Sequence, residues 1–237
     1  MLPVGDAYDV LCREFRWNVP EHYNIGVDIC DKWADGSERP ALIYEAANGD
    51  IRRYSFDDLR SLSNRTANLF AAHGASQGER IGILLPQRPE TAFAHIAAYK
   101  MGAIAVPLFT LFGYDALRYR LADSGTRVVI TDAVGAEKIA RIRDDLPQLR
   151  TVFNVDGPMH GAEDFHRLLQ RASDAYQPAP TTADDPALII YTSGTTGSPK
   201  GALLPHRTLL GHMPGVEMSH DFLGIEGDLI WTPAWPA

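Results

Sequence analysis

Apolar residues recur along this chain with two different periods, and segments of the two kinds alternate. Near the N-terminus, residues 6–17 and 24–34 carry apolar side chains three or four positions apart, which predicts two short helices. Residues 41–46 and 51–56 have strand-like composition and flank Asn48-Gly49-Asp50, whose residue types tolerate the positive φ of a tight turn. We therefore expect a packed N-terminal lead followed by a β-hairpin.

The clearest helix signal begins at Ser55. Ser55 can cap a helix with Asp58 at the third helical position, an acidic variant of the capping box, and Gly74 can end it. The apolar stripe of this helix consists of Leu59, Leu62, Thr66, Leu69 and Phe70. The pattern predicts one long helix packed on a core.

Beyond this helix, strands and helices are expected to alternate. Continuous apolar runs begin at positions 80, 103, 127 and 151, and helical patterns cover residues 89–101, 114–122 and 136–144. Runs that are apolar throughout suit strands buried on both faces of a largely parallel sheet, with helices as crossovers. We predict an α/β fold with largely parallel sheets and flanking helices, preceded by the β-hairpin.

Composition changes clearly in one stretch, residues 177–186, where prolines and small polar residues replace the apolar pattern. We interpret this stretch as a surface linker between a first subdomain, residues 1–176, and a second segment, residues 187–237. The second segment opens with an apolar strand, followed by a loop and a helix from Arg207 onward.

Charge and composition narrow the possible partners. The chain has a net charge of −8, and its acidic and basic residues are interspersed along all 237 positions. A basic stripe that could bind nucleic acid is therefore not expected. The most apolar stretch, residues 95–112, is interrupted by Lys100 and Pro107, so no membrane-spanning helix is expected. The two cysteines, Cys12 and Cys30, lack metal-ligand spacing, and the N-terminus lacks a signal-peptide pattern, which favours a cytoplasmic protein with reduced thiols.

The candidate chemistry lies in residues 191–201, YTSGTTGSPKG. Glycines let the backbone turn its N–H groups towards an anion, hydroxyl side chains can donate to phosphate oxygens, and Lys200 can neutralise their charge. The residues concerned are Gly194, Gly197 and Gly201, then Thr192, Ser193, Thr195, Thr196 and Ser198. Together they predict a cradle for a polyphosphate, with ATP as the ligand.

Three other interpretations of this loop compete with a phosphate cradle. Taken alone, a Gly/Ser/Thr loop after a strand is more often an ordinary surface turn. The loop is not a Walker A motif, because Pro199 precedes Lys200 and Gly201 follows it. Ser193 does not fit a hydrolase nucleophile, since the glycine of the nucleophile elbow is missing.

The whole string YTSGTTGSPKG resembles the phosphate loop of the adenylate-forming superfamily, which includes acyl-CoA synthetases, luciferases and peptide-synthetase adenylation domains. RYSFDDL and YKMGAIAVPL resemble two further elements of that superfamily in the same order, so the resemblance spans nearly the whole chain. The lead WNVPEHYNIGVDICDKWAD and the ending DLIWTPA are most similar to acetyl-to-medium-chain acyl-CoA synthetases. The resemblance identifies the chain as an N-terminal part of such a ligase.

The resemblance implies a two-step reaction. A carboxylate attacks the α-phosphate of ATP with loss of pyrophosphate, and the coenzyme A thiolate then displaces AMP from the acyl-adenylate. Mg²⁺ bridges the phosphates of ATP, and no protein nucleophile is required. The residues implied to bind the β- and γ-phosphates are Thr192, Ser193, Gly194, Thr195, Thr196 and Gly197, with Lys200 balancing their charge.

Members of the superfamily are longer than this chain. Their adenine-binding elements and their C-terminal domain with its catalytic lysine would lie beyond Ala237, so no catalytic residue is assigned here. We expect weak ATP binding at best and no complete ligation. Two alternatives stay open: a stand-alone nucleotide-binding or interaction protein, and adenylation for a carrier protein instead of coenzyme A.

Other conspicuous side chains are given structural roles. His206 is expected to cap a helix or to form a structural hydrogen bond. His212 and His220 are spaced too widely to bind a metal from one helical face, so no metal is predicted apart from the Mg²⁺ of ATP. The resemblance implies that Trp231 and Trp235 could border an acyl pocket, but aromatic residues are more often simple core residues, so the two are left unassigned.

Overall fold

The N-terminal lead and the hairpin form as two adjoining units. A computed structural model describes residues 8–192, 197–220 and 229–230. The lead contains helix α1, Tyr8–Glu14, and helix α2, Ile25–Ile29, followed by a 3₁₀ turn at Asp31–Trp33. Strands β1, Pro40–Glu45, and β2, Ile51–Ser55, pair antiparallel as the predicted hairpin.

The helix predicted over residues 24–34 is divided into two pieces. Cys30 leaves the helical region, with φ −132° and ψ −67°, and the 3₁₀ turn starts after it. This break turns Asp31 towards Lys100, whose Nζ lies 2.5 Å from Asp31 Oδ1. A contact with a residue so distant in sequence overrides the local helical period.

The capping box predicted at Ser55 is confirmed. Helix α3 runs over Phe56–Ala72, the Asp58 backbone N donates to Ser55 Oγ at 3.0 Å, and the Ser55 backbone N donates to Asp58 Oδ2 at 2.8 Å. Gly74 follows the helix with φ +97°, a conformation that favours glycine. The start and the end of α3 are therefore fixed by local chemistry.

The central sheet has seven strands among the described residues. The remaining elements, in chain order, are β3 (Arg80–Leu84), α4 (Pro89–Lys100), β4 (Ile104–Pro107), α5 (Tyr114–Ser124), β5 (Val128–Thr131), α6 (Ala133–Ile142), β6 (Thr151–Asn154), β7 (Glu163–Asp164), α7 (Phe165–Leu169), β8 (Pro186–Thr192), β9 (Lys200–Pro205) and α8 (Thr208–Ser219). The strand order is β7-β6-β5-β3-β4-β8-β9. Pairings from β7 to β8 are parallel, and β9 is antiparallel to β8. The predicted α/β class with a mostly parallel sheet is confirmed.

Both faces of the sheet are covered along β3, β4, β5 and β6, as their continuous apolar runs predicted, whereas β8 and β9 are largely exposed. One core cluster joins Phe70 of α3 and Phe165 of α7 to Ile81 and Ile130 of the strands. The opposite face packs α5 and α6 on residues such as Val129. Helix α6 begins at Ala133, earlier than predicted, because the Asp132 side chain accepts from the Gly135 backbone N at 2.8 Å.

Residues 177–186, interpreted above as a linker, are hydrogen-bonded along the lead and α4. The Ala179 N donates to the Lys100 O at 2.8 Å, and the Ala183 N donates to the Glu21 O at 3.0 Å. Thr181 is buried, and its hydroxyl donates to the Tyr23 O at 2.8 Å. The division into two subdomains at this stretch stays a prediction. In the described part of the chain, no helix is long and apolar enough to cross a bilayer.

Candidate functional site

The predicted phosphate loop joins β8 to β9 at the tip of an antiparallel hairpin. Thr192 and Lys200 are partners at the end of the β8–β9 ladder, so the structure brings the two ends of the loop together. The loop residues Ser193, Gly194, Thr195 and Thr196 lie outside the described residues. The described part of the site thus consists of the two ends of the loop.

Gly197 shows a backbone conformation that suits the predicted cradle. Its φ is +99°, a value that side chains with a Cβ rarely adopt. An added Cβ would meet no described atom within 4 Å, so the requirement for glycine here is conformational and not steric. A positive φ allows successive backbone N–H groups to converge, which is how loops bind anions.

Lys200 is exposed at the first position of β9. Across the part of the chain that the structure describes, no carboxylate forms an ion pair with Lys200. Its ammonium is thus available to an anion beside Gly197. A free cation next to a loop with positive φ fits the polyphosphate of ATP.

Gly201 has a packing role that the sequence did not indicate. It lies within β9 opposite Tyr191, so its backbone belongs to the strand ladder. A Cβ there would stand 2.9 Å from Ile189 Cγ2 and 3.2 Å from Tyr191 Cζ. The last glycine of the motif therefore makes room for the Tyr191 ring; the expectation that it helps to turn the loop is not met.

Substitution of Gly201 by Ala should lower the free energy of unfolding by about 1–3 kcal/mol, because the added methyl group would overlap the Ile189 side chain and crowd the Tyr191 ring. Urea unfolding followed by circular dichroism measures this change. Gly211→Ala is a control without a clash, since a Cβ at Gly211 meets no described atom within 4 Å, and inside helix α8 it should leave stability unchanged or raise it by up to about 1 kcal/mol. A Gly201→Ala protein as stable as the wild type would contradict the packing role.

Helix α5 contacts the hairpin on both sides of the loop. The Tyr191 hydroxyl donates to Asp123 Oδ2 at 2.6 Å, and the Tyr119 hydroxyl donates to the Pro199 O at 2.9 Å. The two tyrosine rings meet edge to face, with centroids 6.4 Å apart. Burial, and then the bond to Asp123, raise the pKa of Tyr191. Sequence reasoning missed Tyr119 and Asp123, because nothing in their local pattern connects them to the loop.

Arg120, on the same helix, brings a buried positive charge to the base of the hairpin. Its side chain stacks on Phe112, with 4.0 Å from Cζ to the ring centroid, and lies 5.6 Å from the Tyr191 centroid. Nη1 donates to the Ala116 O of the same helix at 2.9 Å, whereas Nε has no hydrogen-bond partner in the described structure. Within those residues, no carboxylate neutralises this guanidinium.

The structural role predicted for His206 is confirmed. His206 is fully buried, and its Nδ1 accepts from the Ile25 N at 3.2 Å, tying the end of β9 to helix α2. Burial lowers its pKa to about 4. His212 lies in helix α8 and His220 directly follows it. Trp231 and Trp235 lie outside the described residues.

The chain is similar to known ligases over nearly its whole length. A family model described as AMP-binding enzyme matches residues 30–235. Acyl-coenzyme A synthetase ACSM1 of Mus musculus is 30 % identical over 235 residues, covering 93 % of this chain and 41 % of that protein. Acetyl-coenzyme A synthetase of Magnetococcus marinus is 29 % identical over 247 residues, covering 96 % of this chain and 38 % of that protein.

Solved structures of acyl-CoA synthetases and CoA ligases are also similar to this chain. An acyl-CoA synthetase of Brucella canis superimposes with a TM-score of 0.81 at 28 % identity, over 90 % of this chain and 40 % of that one. The anthranilate CoA ligase AuaEII, in complex with anthranoyl-AMP, gives a TM-score of 0.74 at 28 % identity, over 84 % of this chain and 38 % of that one. The chain spans less than half the length of each of these relatives, and it belongs to the AMP-binding enzyme family.

Proposed function

We propose that this chain is the phosphate-binding, N-terminal part of an ATP-dependent acyl-CoA synthetase. The reaction would join a small-molecule carboxylate to AMP with release of pyrophosphate and then transfer the acyl group to coenzyme A. The observation that carries the proposal is the β8–β9 hairpin, which presents Gly197 at φ +99° beside the exposed Lys200. Relatives named as acyl-CoA and acetyl-CoA synthetases, and a neighbour that binds anthranoyl-AMP, support it.

The residues proposed to bind the β- and γ-phosphates are Thr192, Ser193, Gly194, Thr195, Thr196 and Gly197. Lys200 would offset the charge that collects on the leaving pyrophosphate. ATP enters as its Mg²⁺ complex, and the metal ion is part of that substrate. The task of these residues is to position and neutralise phosphate, since such transfers depend on geometry and charge and not on a protein nucleophile.

The described residues support binding more directly than complete catalysis. The chain covers 34 % of its relative ACSM3 and 41 % of its relative ACSM1, so we propose that it binds ATP weakly and completes no ligation alone. The catalytic lysine would belong to a C-terminal domain outside these residues. The second candidate is a nucleotide-binding or interaction protein that shares the loop. A cytoplasmic location is part of the proposal, in keeping with two free cysteines.

Replacing Lys200 with Gln should weaken binding of MgATP and of magnesium pyrophosphate by about tenfold or more, because a charge-assisted hydrogen bond contributes roughly 1.5–3 kcal/mol. Calorimetric titration of the purified chain measures the two dissociation constants. Arg53→Gln, at an exposed site on strand β2, removes the same charge away from the loop and is the matched control.

Equal affinities of the wild-type chain and Lys200→Gln would refute the assigned role of Lys200. A wild-type chain that binds neither ligand at millimolar concentration would refute the proposed function. Carboxylate-dependent exchange of labelled pyrophosphate into ATP would exclude the second candidate, since an adenylating enzyme reverses its first half-reaction. We expect ATP binding without exchange from this chain alone, so exchange has to be measured with the chain joined to the remaining part of an acyl-CoA synthetase to separate the two candidates.

A further inference from the structure

We propose that helix α5 positions the phosphate loop, with Tyr119 and Asp123 as the positioning residues. Tyr119 holds the end of the loop that leads into β9, and Asp123 holds the end that leaves β8. This inference rests on the proposed function, because it concerns the same loop. It assigns to the loop two residues from an element that the motif does not include.

The first contact fixes the exit from the loop. The Tyr119 hydroxyl donates to the Pro199 carbonyl oxygen at 2.9 Å. Pro199 lies directly before Lys200 and two residues after Gly197, so this bond anchors the segment that carries both the free ammonium and the positive φ. Movement of Pro199 would displace both groups together.

The second contact fixes the entry to the loop. The Tyr191 hydroxyl donates to Asp123 Oδ2 at 2.6 Å, a short bond to a carboxylate. The same hydroxyl oxygen of Tyr191 lies 3.3 Å from the Arg120 carbonyl oxygen. Tyr191 directly precedes Thr192, so the strand cannot shift along its axis without breaking a charge-assisted bond.

The two contacts come from one face of one helix. Tyr119 and Asp123 are four residues apart in α5, and residues at that spacing are neighbours on a helix surface. Anchoring both ends of a loop on one rigid element removes conformations that the loop would otherwise lose when it binds a ligand. The expected benefit is tighter phosphate binding by preorganisation.

Arg120 lies between these two residues and adds a fixed charge. It is 8 % exposed, and its guanidinium is held against the rings of Phe112 and Tyr191. In the described structure no carboxylate forms an ion pair with it, and the nearby Asp123 carboxylate accepts from the Tyr191 hydroxyl instead. The same helix thus brings one charge of each sign to the base of the hairpin, and its expected contribution is to anchor the two ends of the loop.

The experiment compares phosphate affinity with the stability of the ligand-free chain. We expect Tyr119→Phe and Asp123→Leu each to raise the dissociation constant for MgATP and magnesium tripolyphosphate by about threefold to tenfold, the range of one hydrogen bond. Asp123→Asn removes the same negative charge as Asp123→Leu but keeps an acceptor for the Tyr191 hydroxyl, so it should bind at least as tightly as the wild type does and is the reference for Asp123→Leu. Tyr114→Phe removes a hydroxyl from the same helix, where the ring is 41 % exposed, and is the matched control.

The thermal midpoint without ligand distinguishes positioning from a merely structural role. Positioning predicts weaker binding by Tyr119→Phe with a midpoint close to that of Tyr114→Phe. If the variants lose affinity in proportion to the decrease of their thermal midpoint, the inference is overturned. Wild-type affinity in Tyr119→Phe and Asp123→Leu, together with weak binding by Lys200→Gln, would overturn it while leaving the proposed function intact. No binding by the wild-type chain would refute both.

Discussion

Replacing Asp31 with Ala should lower the free energy of unfolding by about 3–5 kcal/mol, the cost of removing one partner from a buried ion pair. Lys100 is fully buried, and its Nζ lies 2.5 Å from Asp31 Oδ1. The same ammonium donates to Ser63 Oγ and Asn64 Oδ1, both at 2.8 Å. Burial lowers the pKa of Lys100, and Asp31 opposes that shift. Without Asp31, an ammonium group would be left buried with neutral acceptors only.

Urea unfolding of the wild type and of Asp31→Ala measures the difference. Asp115→Ala is the matched control, because Asp115 forms an ion pair with Arg118 at 2.8 Å but its side chain is 93 % exposed. Exposed pairs contribute at most about 1 kcal/mol. The double variant Asp31→Leu with Lys100→Met should regain much of the loss, since it leaves no unpaired charge. An Asp31→Ala protein no less stable than the control would show that the ion pair is not needed.

Acidification should destabilise the fold through His206. Its ordinary pKa of 6.5 is lowered to about 4 by burial, which Asp185 opposes only in part. A protonated imidazole can no longer accept the Ile25 N–H. Between the two pKa values the unfolded chain binds a proton that the folded chain does not, so stability decreases as pH falls from about 6.5 towards 4. The full loss from this one group approaches about 3 kcal/mol below the lower pKa.

His206→Asn tests this pH dependence. An asparagine amide oxygen can accept from the Ile25 N without titrating, so the variant should lose less stability between pH 7 and pH 4 than the wild type does. His95, whose pKa burial also lowers to about 4, contributes in the same direction and stays in both proteins. His160→Asn, at an exposed site, is the matched control. Parallel stability curves for His206→Asn and the wild type would contradict the assignment.

Much of the fold could be predicted because its signals are local. The capping box at Ser55 and the glycine after α3 are read from adjacent residues, and continuous apolar runs identified β3 to β6 as buried strands. Strand β7 has two residues, too few to show a period. The placement of β8 beside β4 depends on packing between distant segments and not on either strand alone. The break at Cys30 also follows from a distant contact.

The candidate site could likewise be predicted only where its residues are adjacent in sequence. The loop was found because glycines, hydroxyls and a lysine follow one another in sequence. Tyr119 and Asp123 were missed because their partners are 80 and 68 positions away, and on a helix they are typical of a solvated face. Gly201 was found for the wrong reason, since its role depends on the Tyr191 ring across the ladder.

The strand order has a consequence for synthesis on the ribosome. Strands β3 to β6 leave the exit tunnel before β8 and β9, so the first part of the sheet can assemble while β4 is still its outer strand. Strand β4 gains its second neighbouring strand only when β8 pairs with it, at Ala105 and Leu188. An apolar outer strand can pair with other nascent chains, although Pro107 at its end offers no N–H donor. The pairing of β8 therefore closes an edge that stays open to other chains for as long as β8 has not been made.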